Sequence, residues 1–135
     1  MTAPVWVLPE LVPAIHQTLL AEHGGLPSVR DKDLLESALA RPLQKATYET
    51  AASIFDLAAS YSYGLARNHP FVDGNKRIAL TVAAVFLELN GYSLDATEAE
   101  AVLMYQQLAA GSLTEKELAA WIRDSSISKR PYATC

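Results

Sequence analysis

Apolar residues recur at three- and four-residue spacing along most of the chain, the pattern of amphipathic helices. Pro9-Glu10 opens a first helix whose apolar face uses Leu11, Ile15, Leu19 and Leu20. Pro13 delays its regular part, and Gly24-Gly25 stops it. Asp31 is a good N-cap for a short second helix with Leu34, Leu35 and Leu39 inside, and Pro42 is expected to end it. A polar connection follows through Tyr48. The third helix runs from about Thr50 to Arg67, with Ile54, Leu57, Ala58, Tyr61 and Leu65 forming one stripe. The fourth, from about Asn75 to Leu89, is apolar on nearly every side, which belongs in the middle of a bundle, and Asn90-Gly91 stops it. Thr97 with Glu100 and Thr114 with Glu117 have capping-box spacing. They open a fifth helix through Leu108 and a sixth through about Arg123. Only Val5-Trp6-Val7 hints at a strand. The predicted fold is all-α: a single compact domain of about six helices around a central buried helix, the fourth. Its core spans about 8–123, with a loose tail at 124–135.

Composition narrows the function. A chain of 135 residues, half of them hydrophobic, suits one domain with one real core. A net charge of -4 argues against direct nucleic-acid binding, which wants a basic stripe, and favours a protein partner or a small anion held by local cations. The single cysteine, Cys135, makes no internal disulfide, and no Cys/His cluster has zinc spacing, so a reducing cytoplasm is expected. The first residues lack a basic stretch followed by a long apolar run, so no signal peptide is expected. The apolar stretch 78–87 is too short to span a bilayer, and no membrane association is expected.

The chemistry concentrates where the third helix meets the fourth: Arg67-Asn68-His69-Pro70-Phe71-Val72-Asp73-Gly74-Asn75-Lys76-Arg77. Pro70 and Gly74 bracket a tight loop. Gly74-Asn75-Lys76 leads directly into a helix whose first N–H groups lack internal partners, and the positive end of the helix dipole favours an anion there. Lys76, Arg77 and Arg67 add three cations in an otherwise acidic chain, a combination suited to polyphosphate. His69 can take a proton from an attacking hydroxyl near neutral pH. Asp73 beside a phosphate site is a natural holder of Mg2+. Taken singly, each feature has an ordinary structural explanation: His-Pro makes capping turns, Asp-Gly is a common turn pair, and paired cations decorate solvated helix starts. Their conjunction in one short loop is what points to phosphoryl transfer.

The run from His69 to Arg77 resembles the signature loop of the Fic/Doc superfamily, in particular its Doc branch, the toxins of death-on-curing toxin–antitoxin pairs. Gly24-Gly25-Leu26-Pro27 followed by Asp31, and Asn75 to Leu80 leading to Phe86 through Gly91, are similar as well, so the likeness covers roughly residues 8–123. The resemblance implies an all-α fold, His69 as catalytic base and Asp73 as Mg2+ ligand. It further implies Gly74, Asn75, Lys76 and Arg77 as the phosphate cradle for ATP, with Arg67 as a further phosphate contact. Relatives that transfer AMP have glycine at the position of Lys76 and a second arginine at that of Leu80. Lysine at this place, as in Doc proteins, implies an inverted ATP and transfer of the γ-phosphate to a threonine of elongation factor Tu. AMP transfer on the same scaffold and an inactive helical partner-binding module remain the alternatives. The absence of the family's internal inhibitory pattern, Ser/Thr-x-x-x-Glu-Gly/Asn, implies restraint by a cognate antitoxin, a helical segment docked in a groove.

Several other residues are expected to be structural. His16 and His23 lie on or just after the first helix without a second ligand at metal spacing, as surface or boundary residues. Trp6 and Trp121 are expected to cover the core or a partner surface, Met104 and Tyr105 to pack, and Lys129-Arg130 to be solvated.

Overall fold

The computed structural model describes residues 3–129. In chain order it contains α1 (Leu11–His23), α2 (Lys32–Tyr48), α3 (Ile54–Asn68), α4 (Asn75–Leu89), β1 (Tyr92–Leu94), α5 (Glu98–Ala110), α6 (Glu115–Asp124) and β2 (Ser126–Ser128). The all-α class and the six helices agree with the helical periodicity.

Side-chain caps define most helix starts. Asp31 accepts the N–H of Leu34 at 3.0 Å and opens α2. Thr97/Glu100 and Thr114/Glu117 form reciprocal boxes at α5 and α6, as their spacing predicts. A third box, Ser53/Asp56, opens α3 at Ile54, four residues later than expected.

The second helix does not stop at Pro42, which lies buried inside α2. Proline there removes the N–H that would pair with the carbonyl of Ala38. That carbonyl faces α3 at Gly64, where an added Cβ would stand 3.2 Å from the oxygen and 3.1 Å from the Ala38 Cα. Close packing of the two helices through glycine thus covers the interrupted turn, and tertiary contact overrides the local break.

The centre is shared between two helices rather than held by α4 alone. α3 packs against α2, α4, α5 and α6, and residues 57–62 are buried in succession. The small side chains of Ala58, Ala59, Ser60 and Ser62 let neighbours approach on several sides, which a stripe of large apolar residues does not reveal. α4 contributes Ile78, Val82, Phe86 and Leu87, all fully buried, each such side chain stabilising the fold by about 1.5–3 kcal/mol. Tyr105 of α5 bonds Ser62 at 2.7 Å, and Ser62 donates to the Ala79 carbonyl at 2.8 Å, so a hydroxyl chain ties α5, α3 and α4. Burial pushes the Tyr105 phenol far above its usual range, which keeps it neutral.

Three terminal expectations are corrected. Val5-Trp6-Val7 forms no strand: the Asn90 side chain takes both backbone groups of Val5, at 2.8 and 2.9 Å, and the Val7 N–H donates to the Tyr61 hydroxyl at 3.2 Å. Trp6 stacks on Phe86, covering the core as expected. The segment after α6 is not a loose tail throughout, because β2 pairs antiparallel with β1, Ser93 opposite Ile127. Lys129 stays exposed as expected, while its backbone N–H donates to the Gly91 carbonyl at 2.9 Å and its ammonium pairs with Glu88; Arg130 lies outside the described residues. Finally, α1 is rotated from the expected face: Val12 and His16 are buried while Leu11 is exposed. His23 is on the surface as expected.

Candidate phosphate-binding site

The loop between α3 and α4 is held from three sides. His69 ends α3 in a left-handed conformation, φ 49°, the only positive φ of a non-glycine among the described residues. Such strain persists where the surroundings over-determine it. Arg30 donates to the carbonyls of His69 and Asn68 at 2.7 and 2.9 Å, satisfying the end of α3. The segment before α2 runs antiparallel to the loop: Val29 bridges Phe71, Arg30 and Asp31 donate to the Pro70 carbonyl, and Val72 donates to that of Ser28 at 2.9 Å.

Asn75 is buried, and its amide is used within the loop. Its Oδ1 accepts the Phe71 N–H at 3.0 Å, while its Nδ2 donates to the Phe71 carbonyl at 2.9 Å and lies 3.3 Å from His69 Nδ1. At that length the last contact steadies the ring without fixing which nitrogen carries the proton. Asn75 therefore shapes the loop with its side chain.

Asp73 is exposed, with Oδ1 accepting the Gly74 N–H at 3.0 Å and Oδ2 the Leu26 N–H at 3.4 Å. Gly25 permits this approach: at φ 125° an added Cβ would come within 2.8 Å of Leu20 and 3.1 Å of Asp73 Oδ2. Gly74 precedes α4, where no side chain caps the helix and no acidic residue occupies the first turn. Lys76 and Arg77 are exposed in that turn.

His69, Asp73, Gly74, Asn75, Lys76 and Arg77 all line one cleft of about 830 Å³. Its other wall comes from β1 and α5, with Leu94, Ala101, Val102 and Gln106, and its floor from Leu80, Thr81 and Ala84 of α4. The volume lies within the range of small-molecule sites. Thr81 turns its hydroxyl back to the Arg77 carbonyl at 2.8 Å. Arg67 is the one predicted site residue that does not reach the cleft. Its guanidinium lies against Gly111 at the α5–α6 turn and over the ring of Tyr63.

The residues present fit a nucleotide with its metal. An uncapped, basic helix start suits phosphate oxygens. No group of three His, Cys, Asp or Glu able to hold a metal occurs among the described residues. One open carboxylate beside a phosphate site is how Mg2+ is commonly shared with a substrate.

A bundle that presents a left-handed histidine, a carboxylate and an uncapped basic helix start in one cleft agrees with the Fic/Doc resemblance of the loop. The Fic/DOC family model matches residues 6–87, from before α1 to near the end of α4, and the chain belongs to this family. It is 36% identical over 85 residues to the protein kinase Doc of Escherichia phage P1, covering 63% of this chain and 68% of that one. It is 48% identical over 75 residues to the toxin Doc of Mycolicibacterium smegmatis, covering 54% of this chain and 57% of that one. Both relatives carry the Doc name, in keeping with the branch that the loop resembles.

Reading along the chain alone missed Arg30, His16 and the α5 wall. Arg30 acts on residues 38 and 39 positions away and leaves no local signal.

Proposed function

We propose that this protein is a toxin that transfers the γ-phosphate of ATP to a hydroxyl of a protein target, a threonine of elongation factor Tu, and so arrests translation. The observation that carries this reading is the single cleft lined by His69, Asp73, Lys76 and Arg77 at an uncapped helix start. The names of the two relatives, a protein kinase and a toxin, support it.

The target hydroxyl enters beside His69, which takes its proton as the oxygen bonds to the γ-phosphorus. The bond from that phosphorus to the β–γ bridging oxygen breaks, and ADP leaves with the electron pair. Lys76, Arg77 and the first N–H groups of α4 hold the phosphate oxygens, and positioning with charge stabilisation is most of what phosphoryl transfer asks of a protein. Asp73 would hold Mg2+, which supplies positive charge beside the phosphates when bound. The apolar part of the cleft, Leu80, Leu94, Ala101 and Val102, offers anchors for an amphipathic segment of an antitoxin.

The test incubates the purified protein with a bacterial lysate, Mg2+ and ATP labelled separately at its α and γ positions. The γ label on elongation factor Tu is expected. The α label on the target would replace phosphorylation by AMP transfer, and no label on any protein would favour a partner-binding module. Lys76→Gly should lower γ-transfer by about 10²–10³; full retention makes Lys76 a bystander. Co-expression with the neighbouring small reading frame should relieve growth arrest, and a partner that neither binds nor relieves it removes the regulatory part.

A further inference from the structure

His16 lies outside the signature loop, 57 residues before Asp73, yet it is only 3% exposed and its ring reaches the backbone of Asp73. Its Nε2 is 2.8 Å from the Asp73 carbonyl oxygen. A carbonyl only accepts, so Nε2 carries the proton and donates. The ring lies on Phe71 at 3.8 Å between centroids and 17° between planes, which leaves it little freedom to turn. A Cβ added at Gly74 would stand 3.5 Å from the same Nε2, so the ring closes directly over the peptide between Asp73 and Gly74.

That peptide orients two parts of the site. On one side it sets the Asp73 carboxylate, whose Oδ1 accepts the Gly74 N–H at 3.0 Å. On the other it sets Gly74, which stands just before α4 with φ 78° and aims the uncapped N–H groups. If the peptide turned, the Gly74 N–H would leave Oδ1, and both the carboxylate and the start of the helix would lose their aim. No other hydrogen bond holds the Asp73 carbonyl among the described residues.

We infer that His16 is a positioning residue of the cleft: through its Nε2–H it locks the Asp73–Gly74 peptide, and so the aim of the carboxylate and of the helix start toward a bound phosphate. What is being aimed rests on the proposed phosphate chemistry, but the lock itself does not. Loss of such an outer partner of a metal-binding group typically costs about 10–100-fold in affinity or activity.

Two variants separate the bond from the ring. His16→Phe keeps a ring on Phe71 and removes the donor; His16→Gln supplies an amide donor near the place of Nε2 and removes the ring. In ligand-free protein, the amide resonance of Gly74 should shift and exchange faster in His16→Phe and return toward wild type in His16→Gln. Titration calorimetry with ATP and Mg2+ should show affinity about tenfold weaker in His16→Phe, with His16→Gln recovering most of it. Equal impairment in both variants, or wild-type behaviour in His16→Phe, overturns the inference. Should His16→Phe fail to fold, the wild type still decides: ring nitrogen spectra must show a proton on Nε2, and a proton on Nδ1 alone refutes the lock. If wild type binds no ATP, the proposed function falls, while the Gly74 and ring spectra still judge His16.

Discussion

The starts of α4 and α6 solve the same problem in opposite ways. Each helix begins with N–H groups that have no partner within the helix. At α6, Thr114 accepts the Glu117 N–H at 3.0 Å and Glu117 accepts that of Thr114 at 2.9 Å, with Glu115 adding negative charge in the first turn. At α4 there is no side-chain cap and no acid in the first turn, and two cations stand where the acids would be. A fold that knows how to close a helix start, and does so at α2, α3, α5 and α6, leaves this one open beside a histidine and a carboxylate. The start of α1 also lacks a side-chain cap and a first-turn acid, so what sets α4 apart is the pair of cations in its first turn and the cleft beside it, where the proposed ligand would bind.

The largest expected effect tests the chemistry at the open end. His69→Ala should cut phosphate transfer by about 10²–10⁴ while the melting temperature moves by no more than a few degrees, because the side chain is exposed on a loop. Wild-type turnover by the variant would remove His69 as the base, and a large loss of stability would make it a structural residue.

The next pair exchanges consequences between the two ends. Arg77→Ala should lower transfer by about 10²–10³, as loss of one donor to a developing charge does, with stability nearly unchanged. Thr114→Ala should do the reverse, costing about 1 kcal/mol and lowering the melting temperature by about 3–5 °C while transfer keeps its rate. Calorimetry and the labelled-ATP assay on both variants decide the matter. A stability loss in Arg77→Ala equal to that in Thr114→Ala would mean that α4 is held at its start like any other helix.

Sequence reading succeeded where a feature is local. The bounds of α4 and the caps at Asp31, Thr97 and Thr114 follow from side chains within three residues of the backbone they serve. The Ser53/Asp56 box is equally local, but it carries aspartate where a capping box ordinarily has glutamate or glutamine. It failed where partners come from afar. Pro42 continues a helix because Gly64 covers its break, β1 pairs with residues beyond α6, and Asn90 occupies the backbone of Val5. The site divides in the same way. His69, Asp73, Lys76 and Arg77 were legible as one loop, whereas Arg30 and His16 reach that loop from other elements, and Arg67, adjacent in sequence, turns toward Gly111.

The smallest effect sharpens the closed end alone. The backbone N–H of Thr114, and then its side chain, hold the Glu117 carboxyl below its usual range. A carboxylate depressed in the folded state contributes stability above its unfolded pKa and loses it as the pH falls through the folded value. Acidification from about pH 7 to about pH 3 should therefore erode the α6 start in wild type through this group. Glu117→Gln keeps an acceptor for the Thr114 N–H but has no proton to gain, so its contribution should not change with pH. The full exposure of the group makes the difference small, and it is read best as the difference between two melting-temperature profiles, with amide exchange at residues 114–118 as a local check. Wild type should start above the variant at neutral pH and converge on it in acid. Parallel profiles across the whole range would mean that the Thr114 hydroxyl alone holds the α6 start, and the contrast with α4 would then rest on hydroxyl capping rather than on charge.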